Sequence, residues 1–165
     1  NKKVFALGCD DCKVRIRNLI NGKKIRTVSL LSKSFTTAPG DKEDDGIPRK
    51  ILITNRWGFI VVNTLYKLFI FSTNGSLIQC MDDFPKITQW FSFYSTDGFD
   101  FVGFESEEKP YCIFYFEALK PFERKFKMVP SNHSQSKIVA INYDITWNSF
   151  VILASNGKIH ILPFN

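Results

Sequence analysis

Long apolar runs are missing from this chain. No stretch approaches the roughly 18 residues that a membrane-crossing helix needs, and no secretory leader stands at the front. Histidine is scarce, with two in 165 residues. His133 sits in the polar stretch "PSNHSQS" and reads as a solvated loop residue, and His160 falls on the last apolar run. Neither stands at metal-ligand or nucleophile-elbow spacing from a partner. The acidic run "GDKEDDG" (40–46) lacks the alternating Asp pattern of a calcium loop. These absences argue against an enzyme, and no catalytic residue, metal or cofactor is expected. Amphipathic periodicity of helical type is hard to find anywhere.

Phenylalanine is plentiful: 17 Phe, with 3 Trp and 5 Tyr. Aromatic and β-branched enrichment favours strands. Short apolar runs recur, cut by turn residues every 8–12 positions, which is an all-β pattern. "VFALGC" leads through Asp10-Asp11 to "KVRIRNL", then through Asn21-Gly22 to "KKIRTVSLL". Asn-Gly between two such runs is a strong hairpin signal. The same grammar returns in "KILIT", "FIVVNT", "KLFIFST", Asn74-Gly75 and "SLIQCM". A third pass covers 87–129 and a fourth 137–165.

These passes superimpose. Phe59 and Phe99 each open the second strand of a pass, 40 residues apart, and Phe150 does so in the last. A period near 40 with four strands per repeat predicts a β-propeller of WD-repeat type. One four-stranded blade cannot bury both faces alone, so blades stack and cover one another. The expected architecture is a partial propeller of about four antiparallel four-stranded blades. Its blades are approximately 1–31 (truncated), 50–82, 87–129 and 137–165 (lacking a fourth strand), with 32–49 a mobile inter-blade loop. Three, four, four and three strands are expected, as in the C-terminal part of a larger propeller.

Cys9-Asp10-Asp11-Cys12 is a C-x-x-C. A redox pair of this spacing belongs at a helix N-terminus, and no helix is visible here. Zinc needs two further ligands, and Cys80 and Cys112 fall on strands rather than in neighbouring turns. The motif reads as a hairpin turn carrying two free thiols. Cys12 takes the place that Gly157 holds in the last repeat. Four cysteines without a leader point to a reducing compartment.

"ILITNRWGFIVVNT" followed by "KLFIFSTNGSLIQC" resembles the WD-repeat region at the C-terminal end of BEACH-domain proteins. Ile51–Thr54, Trp57–Ile60 and Asn74-Gly75 carry the resemblance. Arg17-Asn18 stand where a WD blade has Trp-Asp, so that signature is absent from the first repeat. The resemblance covers about 80 residues. It implies a BEACH domain upstream in the same chain, and a scaffold in vesicle traffic that is cytoplasmic or peripheral on endomembranes.

The net charge of +6 is uneven. Residues 1–35 hold nine Lys or Arg against Asp10 and Asp11, and the rest is nearly neutral. Lys13, Arg15 and Arg17 alternate with Val14 and Ile16, which predicts one basic strand face, with Lys24 and Arg26 on the next strand. Two functions follow. One is a non-catalytic protein-interaction scaffold. It binds partners on the face shared by inter-blade loops and second-to-third-strand turns, with Asp10, Asp11, Tyr66, Lys67, Glu107, Glu108 and Lys109 as candidates. The alternative is an anionic-lipid or nucleic-acid module on the basic edge of residues 13–26. Nucleic acid is the weaker ligand, because no aromatics interleave the stripe for base stacking.

Overall fold

The computed structural model describes residues 3–31, 44–54, 57–82, 84, 87–93, 99–106, 112–117, 120–128 and 138–164, with 88–128 described by backbone. The described residues form fourteen strands. They are β1 (Val4–Cys9), β2 (Lys13–Asn18), β3 (Lys24–Ser29), β4 (Lys50–Ile53), β5 (Ile60–Asn63), β6 (Leu68–Phe71) and β7 (Leu77–Met81). There follow β8 (Ile87–Phe93), β9 (Phe99–Ser106), β10 (Cys112–Glu117), β11 (Lys120–Met128), β12 (Ile138–Asp144), β13 (Ser149–Ala154) and β14 (Ile159–Pro163). They make four sheets, β1-β2-β3, β4-β5-β6-β7, β8-β9-β10-β11 and β12-β13-β14. Every pairing is antiparallel between consecutive strands, so each sheet is a simple meander. The chain divides into two compact units, one holding β1–β7 and the other β8–β14.

Turn chemistry places the hairpins. Gly22 and Gly75 adopt left-handed backbone (φ 66° and 80°) in the β2–β3 and β6–β7 turns. The β1–β2 turn does the same with Cys12 (φ 58°), and the β13–β14 turn with Gly157 (φ 79°). The equivalence of Cys12 and Gly157 is therefore real at the level of the backbone. Left-handed backbone costs an L-residue about 1–2 kcal/mol. At Cys12 that cost is set against bonds which the turn makes to the next loop.

In the first unit the two sheets pack face to face, with β1 beside β4. Val14, Ile16 and Leu30 meet Ile60, Val62, Phe69 and Phe71, with Val4, Ala6, Val28, Ile51, Ile53 and Cys80 around them. Period-two alternation puts these residues on one side of each sheet. The other side of β5 and β6 carries Val61, Leu68 and Ile70, also fully buried. These two strands are therefore covered on both faces, which is why "IVVN" and "LFIF" read as continuous runs rather than alternations. Asn63 and Thr64 end β5 in this buried setting, and their polar atoms are paired. Asn63 Nδ2 donates to the Lys67 carbonyl (3.1 Å), and the Lys67 N–H donates to Thr64 Oγ1 (3.2 Å).

In the second unit, β12 lies beside β8. One face of the last sheet buries Ile138, Ile141, Phe150, Ile152 and Ala154. Tyr143, Phe150 and Phe164 meet edge to face with centroids 5.3–5.9 Å apart, a favoured aromatic geometry. The opposite face exposes Val139, Leu153, Ile159 and Ile161.

Candidate functional site

The end of the first unit where β1–β2, β3–β4, β5–β6 and the chain after β7 turn is built around one short segment, residues 44–49. Asp44 and Asp45 each fold back on their own backbone. Asp44 Oδ1 accepts the Gly46 N–H (2.7 Å), and Asp45 Oδ1 accepts the Ile47 N–H (3.0 Å). Such turns are what Asp does ahead of a strand. The second oxygen of Asp44 crosses to the β5–β6 turn. It accepts Thr64 Oγ1–H (2.6 Å) and the Tyr66 N–H (2.7 Å). The Asp45 carbonyl accepts the Cys12 thiol (3.3 Å), which joins the β1–β2 turn to the same segment. Arg49 pairs with the Asp45 carboxylate, and its N–H donates to the Asn63 carbonyl (2.7 Å). The Tyr66 carbonyl accepts the Phe84 N–H (2.7 Å). Lys67 Nζ meets Asp82 Oδ1 (3.0 Å). Turns from two sheets are thereby joined into one hydrogen-bonded rim.

Packing reinforces the rim. A Cβ added at Gly46 would stand 2.6 Å from Leu31 Cδ2, and one at Gly8 would stand 2.7 Å from Pro48 Cβ. The segment thus lies directly on β1 and on the end of the first sheet. Of the stretch expected to be a mobile loop, 44–49 is held by these bonds, and 32–43 lies outside the described residues.

Among the described residues, the expected partner-binding residues lie at different depths in the rim. Lys67 is 5% exposed, and its ammonium meets Asp82, so it supports the turn from beneath. The physical reason is that the Lys67 backbone closes the β5–β6 turn onto Thr64, which directs its side chain inward. Tyr66 is half-buried, with both backbone polar groups committed to the rim. Asp10 is exposed at the β1–β2 turn. Asp11 is exposed but belongs as much to the basic stripe, because it meets Lys13 (3.2 Å) and Arg15 (2.5 Å). Glu107, Glu108 and Lys109 lie outside the described residues.

The stripe itself is divided. Val14 and Ile16 are fully buried, and Lys13, Arg15 and Arg17 share the other face of β2. Lys24 pairs with Arg17 across the sheet and joins that face. Arg26 does not, because a register shift between Ile16 and Arg17 sets it opposite Ile16. It turns toward the second sheet, where Nη1 reaches Ser76 Oγ (3.5 Å). The Arg15 hydrogen bond, with Lys13 adding, holds the Asp11 carboxyl below its ordinary value. Asp11, and then Cys9, raise Arg15. Asp11 therefore offsets one of the two positive charges at the rim end of the stripe. Arg17 and Lys24 have no ion-pair partner among the described residues.

The sequence reading passed over Asp44, Arg49, Thr64 and Asp82. The signal for Asp44 was present: Asp-Asp-Gly just before a strand is an Asx-turn pattern. What could not be read is that its second oxygen reaches a turn twenty residues away.

No protein-family model matches the sequence, and no curated protein matches it. Solved structures do. The WD40 domain of Pan2 from Neurospora crassa is 10% identical, with TM-score 0.52 over 99% of this chain and 44% of that one. BBS1N, in complex with ARL6DN, is 10% identical, with TM-score 0.55 over 98% of this chain and 47% of that one. A computationally designed protein, Ika4, is 12% identical, with TM-score 0.56 over 100% of this chain and 88% of that one. This chain thus spans less than half the length of the Pan2 and BBS1N chains. At such identities the likeness concerns the fold alone, and the fold is all-β and of WD-type propeller kind.

Proposed function

We propose that this chain is a non-catalytic protein-interaction scaffold that holds partners on the rim around residues 44–49. The observation that carries the reading is Asp44. One carboxylate ties its own loop to the turn between β5 and β6 through Gly46, Thr64 and Tyr66. Turns fixed in this way lose little freedom when a partner binds, which is what makes a loop surface effective in recognition. Exposed Asp10, half-buried Tyr66 and exposed Arg49 give the rim a mixed polar and aromatic character. BBS1N offers a precedent, since it shares the fold and is solved in complex with another protein.

The finer reading is a propeller belonging to a BEACH-domain protein of vesicle traffic. Its support is the residue pattern of Ile51–Thr54, Trp57–Ile60 and Asn74-Gly75, and it is tested by whether the gene encodes a BEACH domain upstream of this chain.

The scaffold reading is tested by placing a photo-crosslinking residue at Tyr66, identifying what it captures, and titrating that partner. Tyr66→Ala should weaken binding by about tenfold or more, as truncation of an interface aromatic does. Asp44→Ala should weaken it indirectly by loosening the rim. Reversing Lys13, Arg15 and Arg17 to Glu should matter less, and salt should have a modest effect. The reading fails if the partner binds Tyr66→Ala and Asp44→Ala as it binds wild type while the charge reversal abolishes binding.

A further inference from the structure

The β2–β3 turn, at the opposite end of the first sheet from the rim, combines three features. The first is exposed apolar surface: Leu19 is 60% exposed and Ile20 71%. The second is charge. Lys3, Arg17, Lys23 and Lys24 surround the tip, and none has an ion-pair partner among the described residues. The two acids of the first sheet, Asp10 and Asp11, are at its other end. Lys3 belongs to the tip because its carbonyl accepts the Leu19 N–H (2.6 Å).

The third feature is internal pairing of the backbone N–H groups. Asn18 Oδ1 accepts the N–H groups of Ile20 (2.8 Å) and Asn21 (3.3 Å). The Asn18 carbonyl accepts the Gly22 N–H (2.9 Å), and Asn21 Oδ1 accepts the Lys23 N–H (3.0 Å). The Gly22 carbonyl accepts Arg17 Nη1 (3.0 Å), and the Lys23 carbonyl accepts the Asn18 N–H (2.9 Å). Every backbone N–H from Leu19 to Lys23 already has an acceptor within the turn or at Lys3, which lowers the penalty of taking the tip out of water.

From this geometry we infer that the β2–β3 turn docks the protein on an anionic lipid bilayer. Leu19 and Ile20 enter the boundary between headgroups and acyl chains. Lys3, Arg17, Lys23 and Lys24 lie against lipid phosphates. The charge is complementary to an anionic leaflet, where each Lys or Arg near the surface strengthens binding about fivefold. A protruding two-residue apolar tip suits a fluid surface that conforms to it. A protein partner would call for the 20–30 residues a side of a standard interface. The inference goes beyond the scaffold reading and stands or falls apart from it, since none of its residues belongs to the rim.

The test is flotation of the full-length protein with vesicles of phosphatidylcholine alone and of phosphatidylcholine with phosphatidylserine. Far-UV circular dichroism confirms that each variant is folded. Binding is expected to the anionic vesicles and to fall steeply as salt is raised. Leu19→Ser/Ile20→Ser should weaken it by about tenfold or more, and Lys23→Glu/Lys24→Glu by about 25-fold or more. Lys13→Ala/Arg15→Ala, whose cations already face Asp11, should stay within about threefold of wild type. In the second unit the β12–β13 turn exposes Ile145 and Trp147 beside Asp144, with no Lys or Arg among the described residues of the turn, so Ile145→Ser/Trp147→Ser should bind as wild type does. The proposal is overturned by equal binding to both vesicle types or by no binding to either. It is equally overturned if both tip variants bind like wild type, or if the Lys13/Arg15 or Ile145/Trp147 variant loses binding as the tip variants should.

Discussion

Gly75 and Gly22 occupy equivalent hairpin turns with nearly the same backbone angle, yet their surroundings differ. A Cβ at Gly75 would stand 2.8 Å from Arg26 Cδ and 2.9 Å from Ile16 Cδ1, whereas a Cβ at Gly22 meets nothing within 4 Å. Both substitutions to alanine carry the left-handed cost of about 1–2 kcal/mol. Only Gly75→Ala also pushes on a core isoleucine, which adds about 1–3 kcal/mol of overpacking. Denaturant unfolding should therefore rank Gly75→Ala as clearly the more destabilising of the two. Equal losses would mean that Ile16 and Arg26 give way freely and that the sheets are less tightly apposed than described.

At the scale of elements, the β1–β2 hairpin is an electrostatic unit. Its turn supplies Asp11, and its second strand supplies Lys13 and Arg15. Asp11 has a folded-state pKa below its ordinary value, with Arg15 as the first cause and Lys13 contributing. For a carboxyl lowered in this way, the stabilisation is complete above the ordinary carboxylate range and is lost as pH falls through the folded value. The pair is at the surface, so it weighs little in global stability and registers in the titration itself. Carboxyl NMR should place the Asp11 midpoint below 3.8, and Arg15→Ala should move it upward. A midpoint indifferent to Arg15→Ala would remove the hydrogen bond from the account. The register shift in β2–β3 acts at the same scale, for one bulged position moves Arg26 from the basic face to the sheet interface.

At the scale of the whole molecule, each unit has a three-stranded sheet beside a four-stranded one, and the three-stranded sheets leave edges. In the second unit one outer strand is β14, with Ile159 65% and Ile161 56% exposed. An apolar edge is a template for pairing with another chain. Ile159→Lys/Ile161→Lys should therefore reduce concentration-dependent self-association in sedimentation velocity. Thermal stability should barely change, since exposed substitutions stay within about 0.5 kcal/mol. If self-association persists unchanged, the attraction lies elsewhere on the molecule.

The local grammar of this protein was legible in its sequence. Alternating and continuous apolar runs located the strands, and Asn-Gly and Asp-Asp located turns, because strand periodicity and left-handed backbone are properties of a few neighbouring residues. Cys12 could be matched to Gly157 for the same reason. Tertiary structure decided which side chains were spent on holding the fold. Asp44 became the tie between loop and turn, Lys67 was drawn inside toward Asp82, and Asp11 paired with Lys13 and Arg15 of the basic stripe. Each of these depends on the direction a side chain takes and on which distant backbone groups still need a partner. Both are fixed only when the sheets pack, since burial is what makes an unpaired polar group costly enough to find its partner.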